Sequence, residues 1–279
     1  LELRNGSQFI KLEIEDRFSK NEKDRIESWL IHSADALKLA YGQWPSDYFL
    51  VNVTVGTSES SPVPWGQVNR GKYPSVSLVV DPRSTLHDLR EDWTIYHELS
   101  HLLIPYEGGG DLWFSEGLAS YYQNILQARA GMLDERYMWQ KLYNGFERGR
   151  KQSFLSIFTL SRLSDQIRIN HHYMRIYWSG ALFWLEADVA LRRLNKGMTL
   201  DKALLELKKC CHKKSLSPLE ISVKLDEISK TKHFTRLFEK YTKSRRIPAY
   251  DSLLSSLGVT INDGKVKLSD DSRLSPVRN

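Results

Sequence analysis

At 279 residues, with 41% hydrophobic and 27% charged residues, the chain is long enough for two lobes around a cleft and has the balance of a globular protein. No uninterrupted apolar run reaches the roughly 20 residues that cross a bilayer, which excludes a transmembrane segment. The net charge of +6 does not indicate a nucleic-acid partner, because the basic residues are scattered. Two small basic clusters, at residues 208–214 and 245–246, are interpreted as solvated helix faces, with an anionic partner or membrane surface as the alternative.

The first 84 residues are predicted to form a small lobe of strands with one helix packed over them. The predicted strands, at residues 9–15, 48–55 and 75–80, are rich in β-branched and aromatic side chains. The helix begins after a capping box of Ser19 and Glu22 and is amphipathic to about Tyr41.

A single helix is predicted next, over residues 86–103. Apolar residues recur there at three- and four-residue steps, which is the period of a helix with one buried face. Thr85 and Asp88 form an acidic capping box at its start, and Pro105 ends it.

This predicted helix contains the pattern H-E-x-x-H, as His97-Glu98-x-x-His101. The two histidines would lie one turn apart on one face, about 5–6 Å between Cβ atoms, so that both imidazoles reach one zinc ion. Glu98 would project beside them, where a carboxylate can accept a proton from an attacking water. Two ordinary buried histidines are the alternative.

A third ligand is needed, because catalytic zinc sites use three protein ligands and leave a position for water. Glu116 lies 15 residues after His101, in a second predicted helix with Asp111 as N-cap and Gly131 at its end. A loop that folds this helix against the first would bring Glu116 to His97 and His101. The sequence therefore predicts one zinc ion per chain at these three residues.

The combined pattern resembles a known group of enzymes. H-E-x-x-H followed by W-x-x-E-G-x-x-x-Y-Y at residues 113–122 is similar to the gluzincin zinc metallopeptidases, most of all the glycyl aminopeptidase family, with the alanyl aminopeptidase family more distant. Y-x-x-G-A-L at residues 177–182 and D-x-x-x-R at 188–192 resemble further family segments, and the likeness covers roughly residues 65–258.

The resemblance implies an α+β fold, a thermolysin-like two-lobe metallopeptidase domain. Its parts would be an N-terminal α/β lobe with a small mixed β-sheet at residues 1–84, zinc-binding helices with a mainly helical lobe at 85–258, and a C-terminal tail at 259–279.

The resemblance also implies a function, the hydrolysis of peptide bonds in a peptide or protein substrate. Glu98 would be the general base and Tyr177 would stabilise the oxyanion. Gln67 and Asn69 would face the substrate. The strand Ser75–Val80 would be the edge strand that pairs with the bound peptide.

The chain departs from the family at the place that holds a free amino terminus. Aminopeptidases of these families use a glutamate before the zinc helix, and here Val68 stands at that position, with no acidic residue between Glu59 and Asp81. Glu107 or Asp111, from the linker between the predicted metal-bearing helices, could take the place of that glutamate. We therefore expect an endopeptidase or an enzyme tolerant of blocked amino termini.

The chain is also shorter than the family pattern in two ways. Only 14 residues separate His101 from Glu116, and neither the family's N-terminal β-domain nor a PDZ domain fits in this length. The missing ammonium-binding glutamate and the short linker favour the alternative function, a non-catalytic zinc-bound module that binds peptides or a partner protein. The complete set of chemistry-bearing residues argues against that alternative.

Beyond the two metal-bearing helices the chain is predicted to be nearly all helix, with helices at residues 173–194, 199–213, from 218, 234–242 and 249–257. From residue 262 onward a polar tail is expected, with one short strand and then disorder. Cys210 and Cys211 are adjacent, so a disulfide between them would strain the backbone; a buried cysteine beside an exposed one is expected instead.

The compartment, the oligomeric state and the peptide preference stay open. The first residue is Leu1 rather than Met, which is what removal of a signal from an exported, periplasmic or extracellular protein would leave.

Overall fold

The computed structural model describes residues 1–40, 42–70, 73–153, 157–194, 197–269 and 271. Its first part is a five-stranded mixed sheet, whose strands are β1 (Glu2–Asn5), β2 (Gln8–Ile14), β3 (Tyr48–Val55), β4 (Trp65–Asn69) and β5 (Ser75–Val80). The spatial order is β1-β2-β3-β5-β4, with β2, β3 and β5 parallel and the two edge strands antiparallel. Three of these strands were predicted, whereas β1 and β4 were missed.

The helix α1 (Lys20–Lys38) connects β2 to β3 and begins with the predicted capping box at Ser19. Its buried side chains, such as Trp29 and Leu37, belong to the same apolar core as the inward-facing residues of the sheet. The predicted end of this helix at Tyr41 lies outside the described residues.

The edge of the sheet differs from the prediction. Ser75–Val80 pairs with β3 on one side and with β4 on the other, so it has no free edge. The prediction that Ser75–Val80 receives the peptide is therefore wrong, because strand addition needs a strand with one unpaired side. In the structure the edge strand on this side of the sheet is β4.

The remainder of the described chain is mainly helical, so the two-part α+β fold class is confirmed. The helices are α2 (Leu86–Glu91), α3 (Thr94–Ser100), α4 (Leu112–Arg129), α5 (Glu135–Gln152), α6 (Leu160–Asp165), α7 (Ile167–Asn170), α8 (Tyr173–Arg193), α9 (Leu200–Cys211), α10 (Pro218–Ser229), α11 (His233–Thr242) and α12 (Asp251–Ser255). None of the helices in the described ranges combines the length and the apolarity needed to cross a membrane.

The single helix predicted over residues 86–103 is broken in the structure. Asp92 has extended backbone angles between α2 and α3, and its Oδ1 accepts a hydrogen bond of 2.7 Å from the Thr94 N–H. The break is thus a new helix start, which the continuous apolar period conceals. After α3 the chain makes one 3-10 turn, His101–Leu103.

The segment after α12 is also more ordered than predicted. It forms a hairpin of β6 (Val259–Asn262) and β7 (Lys265–Leu268), joined at Asp263 and Gly264, which both have positive φ. An Asp-Gly pair of this kind is a strong hairpin signal that the sequence analysis overlooked. The hairpin is tied to α5 by the Val266 N–H, which donates to Gln140 Oε1 at 2.8 Å. The rest of the predicted tail, at 270 and 272–279, lies outside the described residues.

The helices α4 and α8 cross with their backbones in contact. A Cβ added to Gly117 would collide with the backbone of Gly180, and one added to Gly180 would collide with the carbonyl oxygen of Trp113. Only glycine permits this approach. Because Glu116 precedes Gly117 and Tyr177 lies about one turn before Gly180, the crossing brings these two side chains to one place.

The cysteine prediction is partly wrong. Cys211 is buried and Cys210 is exposed, as expected, but their sulfur atoms are bonded to each other. The bond joins neighbouring residues in the last turn of α9.

Candidate metal centre and cleft

His97, His101 and Glu116 meet where α3 and its 3-10 extension pack on α4. Nε2 of His97 lies 3.1 Å from Oε2 of Glu116, and Nε2 of His101 lies 3.5 Å from the same oxygen. One candidate ligand atom from each residue lies within 4.8 Å of the other two. Both histidines are buried, and their rings meet edge to face with centroids 4.9 Å apart. Three such donors are the set that a catalytic zinc ion uses.

The second ring nitrogen of each histidine is held by a residue of α4. Nδ1 of His97 lies 2.8 Å from Oε1 of Gln123, and Nδ1 of His101 lies 3.0 Å from Oγ of Ser115. Both oxygens can accept a hydrogen bond from Nδ1–H, and this tautomer leaves the Nε2 lone pairs directed at the shared centre. The donor set therefore fits zinc in protonation as well as in distance.

Ser115 and Gln123 were missed by the sequence analysis. The signal that marks them is their place on the helix of Glu116: Ser115 directly precedes it, and Gln123 lies seven residues, about two turns, beyond it. Two turns return a side chain to the same helix face, so Gln123 points toward α3 as Glu116 does.

The charges of the three candidate ligands favour the binding of a cation. Burial by itself would raise the pKa of Glu116, but the adjacent His101 and His97 hold that pKa well below its usual range. Burial by itself would lower the pKa of His97, yet the hydrogen bond and charge of Glu116 outweigh it and raise that pKa. A buried carboxylate between two imidazoles thus requires positive charge, which a divalent metal ion supplies without protonating its ligands.

Glu98 follows His97 on α3 and lines the cleft above the centre. No described residue donates a hydrogen bond to its carboxylate. A Cβ built on Gly66 would lie 2.8 Å from Cγ of Glu98 and 2.7 Å from Thr94 Cγ2. The glycine is therefore what allows the edge strand β4 to pass this close to Glu98.

Tyr177, on the second turn of α8, completes the polar wall of the centre. Its ring stacks on His97, with centroids 5.9 Å apart and planes at 17°, and meets Tyr173 edge to face. Burial, followed by the negative charge of Glu116, raises the pKa of the Tyr177 phenol well above its usual range. The hydroxyl therefore keeps its proton and is a hydrogen-bond donor at the cleft.

The cleft has a volume of about 1400 Å³, and β4 forms one wall of it. Gly66 and Val68 share the strand face that is turned toward the metal centre, whereas Gln67 and Asn69 alternate to the other face. Gln67 still lines the cleft, but Asn69 Nδ2 lies 3.4 Å from the hydroxyl oxygen of Ser75, to which it donates. The substrate-binding roles of Gln67 and Asn69 stay predictions.

Neither substitute for the missing ammonium-binding glutamate lies in the cleft wall. Oδ1 of Asp111 accepts a hydrogen bond of 2.9 Å from the indole of Trp113, and Glu107 is exposed outside the cleft lining. The position expected to hold the ammonium is occupied by the apolar side chain of Val68, as the sequence indicated.

A residue that the sequence analysis missed, Arg70, lies at the end of this wall. Its Nη2 donates to Oγ of Ser115 at 2.9 Å and to the carbonyl oxygen of His101 at 3.4 Å, and its guanidinium lies over the ring of Tyr106. Its place two residues after Val68, directly after β4, is the signal that could have found it.

Comparison with known proteins bears out the family resemblance. The model of the M61 glycyl aminopeptidase family matches residues 107–183, a segment that contains Glu116 and Tyr177. No curated protein sequence matches the chain.

Solved structures share the fold at low sequence identity. An aminopeptidase N family protein from Idiomarina loihiensis is 15% identical, with a TM-score of 0.64, over 97% of this chain and 52% of that one. A mutant M1 zinc metallopeptidase from Deinococcus radiodurans, bound to a Tyr-Ser-Ala substrate, is 15% identical over 89% and 52%, with a TM-score of 0.56. Leukotriene A4 hydrolase from Saccharomyces cerevisiae is 14% identical over 92% and 41%, with a TM-score of 0.56. The chain spans about half the length of the structures it matches.

Proposed function

We propose that this chain is a zinc-dependent peptidase, in which a water molecule attacks the peptide bond and Glu98 is the general base. The observation that carries the proposal is the convergence of His97, His101 and Glu116 beside Glu98, below a free sheet edge. The family match over residues 107–183 and the metallopeptidase fold support the same activity.

His97, His101 and Glu116 would hold one zinc ion, which when bound polarises the scissile carbonyl and acidifies water. Glu98 accepts the proton of the attacking water and passes it to the leaving amine. The Tyr177 hydroxyl, which keeps its proton, donates a hydrogen bond to the developing oxyanion.

The edge strand β4 provides the way to bind a peptide in extended form. It pairs with β5 on one side only, and its residues 65–68 line the cleft. A peptide added as a further strand would receive backbone hydrogen bonds from β4, which do not depend on the peptide's side chains. This mode places the peptide over Glu98, because Gly66 lies directly against that residue.

The test of the function is cleavage of a peptide library whose members carry either free or acetylated amino termini, with and without a chelator. We expect chelation to abolish cleavage and zinc to restore it. A protein that binds these peptides without cutting any of them would instead be the non-catalytic zinc-bound module.

Acetylation of the amino terminus is expected to change kcat/KM by less than about tenfold. A charge-assisted pair with an ammonium contributes about 1.5–3 kcal/mol, so an enzyme that uses one loses roughly ten- to a hundredfold on acetylation. Val68 cannot form that pair, and neither Glu107 nor Asp111 lines the cleft. Kinetics on matched free and acetylated peptides measure the ratio, and strict dependence on a free amine would contradict the endopeptidase proposal.

Replacement of Tyr177 by phenylalanine is expected to lower kcat by about 10²–10³, the usual effect of removing an oxyanion donor. The ring that stacks on His97 is retained, so zinc content should not change. Tyr173→Phe is the matched control, because Tyr173 contacts the Tyr177 ring but does not line the cleft. Equal losses in both variants would show that Tyr177 is not the donor.

A further inference from the structure

The wall of the cleft changes character along β4. Gly66 and Val68 share the strand face that is turned to the metal centre, and Arg70, directly after the strand, also lines the cleft. Gly66 leaves room for Glu98, Val68 is apolar, and Arg70 is a cation held next to His101. A substrate residue that lies over the end of β4 thus meets a guanidinium instead of a carboxylate.

Arg70 is anchored in a way that leaves most of its donors available. Nη2 makes both hydrogen bonds, to Ser115 and to the His101 carbonyl, whereas Nε and Nη1 have no acceptor within the described ranges. The residue is exposed and lines the cleft. The planar guanidinium, fixed at Nη2 and packed on Tyr106, keeps its charge and the N–H groups of Nε and Nη1 for a carboxylate of the substrate.

The other arginines of the cleft are placed differently. Arg83 is paired with Asp81, with Nη2 2.7 Å from Oδ2, so its charge is already neutralised. Arg168 lines the cleft from the short helix α7 and is exposed, with no contact to the metal-ligand residues among the described hydrogen bonds. In the part of the chain that the structure describes, no carboxylate forms an ion pair with Arg70, and the two nearby acids, Glu116 and Glu98, have roles in the proposed reaction.

We infer that Arg70 forms a carboxylate subsite, and that the preferred substrates are peptides with a carboxylate on the residue that lies over the end of β4. This inference rests on the proposed peptidase function and names its substrate class. The carboxylate is either an Asp or Glu side chain or the peptide's own C-terminal group, since both present the same two oxygens to the guanidinium. A free amino terminus at the same place is repelled by Arg70, which agrees with a valine, Val68, at the position of the family's ammonium-binding glutamate.

The inference is tested by binding rather than by turnover. Fluorescent acetylated peptides of neutral sequence carry Glu at one position at a time, or Gln at the same position, each with a free or an amidated C-terminus. Their affinities for the zinc-loaded Glu98→Gln protein are measured by fluorescence anisotropy. At one position we expect the Glu peptide to bind at least about tenfold more tightly than the Gln peptide, the effect of a charge-assisted pair. Tighter binding of the peptides with a free C-terminus than of the amidated ones, in the Glu and the Gln series alike, would identify the terminal carboxylate as the source.

Arg70 is then replaced in the same background. Arg70→Gln should bring the affinity ratio of the preferred carboxylate peptide to its neutral counterpart to within about twofold of one. Arg70→Lys should restore part of that ratio, since a lysine keeps the charge but not the anchored, planar guanidinium. Arg168→Gln, which removes the same charge from the same cleft, should leave the ratio unchanged. Zinc content is measured for each variant. If Arg70→Gln holds less zinc, the affinity ratios of Arg70→Lys and Arg168→Gln are compared instead, and a ratio in Arg70→Lys that is no lower than in Arg168→Gln overturns the inference.

The inference is overturned if neither Glu at any position nor a free C-terminus strengthens binding, if the preference for the carboxylate survives Arg70→Gln, or if Arg168→Gln lowers that preference equally. Its failure is distinct from failure of the proposed function. Preference for Glu in a protein whose parent cuts none of the peptides would support the subsite and contradict the peptidase, and cleavage without preference would do the reverse.

Discussion

Replacement of Glu98 by glutamine should lower kcat by about 10²–10⁴ while the protein keeps its metal, because general acid–base catalysis contributes rate factors of this size. The amide has the shape of the carboxylate but cannot accept the proton of an attacking water. Glu98 is not one of the three clustered ligand residues, and no described residue donates a hydrogen bond to it, so the substitution leaves the buried centre intact. Peptide kinetics together with zinc content measured on the same samples separate loss of the base from loss of the metal.

The matched control is Glu91→Gln. Glu91 also lines the cleft, but it lies on α2 and is exposed, away from the metal ligands. Its replacement removes the same charge from the cleft and should change kcat less than about tenfold, as expected for an exposed surface charge. Activity of Glu98→Gln within the same range would show that another group is the base.

The ligand residues could be predicted because each lies in a segment that the sequence identifies as helical, and the spacing within such a segment fixes which side chains share a face. His97 and His101 are four residues apart in one segment, so their mutual distance follows from the local chain. Ser115 and Gln123 could not be assigned in this way, because their contacts with the histidines depend on which face α4 turns toward α3. That orientation is determined by the crossing at Gly117 and Gly180, which joins segments more than 60 residues apart.

The short linker after His101, which the sequence analysis counted as a departure from the family, still lets Glu116 reach the two histidines. The segment that follows the 3-10 turn is held by hydrogen bonds to a distant residue: the Leu216 N–H donates to Pro105 O at 2.9 Å, and the Glu107 N–H donates to Leu216 O at 3.0 Å. The Tyr106 hydroxyl then donates to the carbonyl oxygens of Gly109 and Gly110. Fourteen residues suffice because these bonds turn the chain directly into α4.

The order of strands in the sheet was equally beyond local reasoning. Residues 65–69 were not predicted as a strand, and which of β4 and β5 is central depends on the parallel pairing of β5 with β3, across 20 or more residues. The difference matters for function, because the proposed peptide-binding edge moves from Ser75–Val80 to the strand that carries Gly66 and Val68. Arg70 becomes visible as a cleft residue only once that edge is known.

Replacement of His97 by alanine should reduce zinc from about one ion per chain to a small fraction, because three protein ligands are the minimum of a catalytic zinc site. Gln123→Ala should give a graded result, a zinc affinity lower by about 10–100-fold, since it removes only the partner that orients His97. Zinc per chain after dialysis against a competing chelator measures both effects.

Zinc that binds only the folded state also stabilises it, so a chelator should lower the Tm of the parent and leave that of His97→Ala unchanged. His87→Ala, an exposed histidine on α2, is the control and should behave as the parent does. Undiminished zinc in His97→Ala would place the metal outside the cluster of His97, His101 and Glu116.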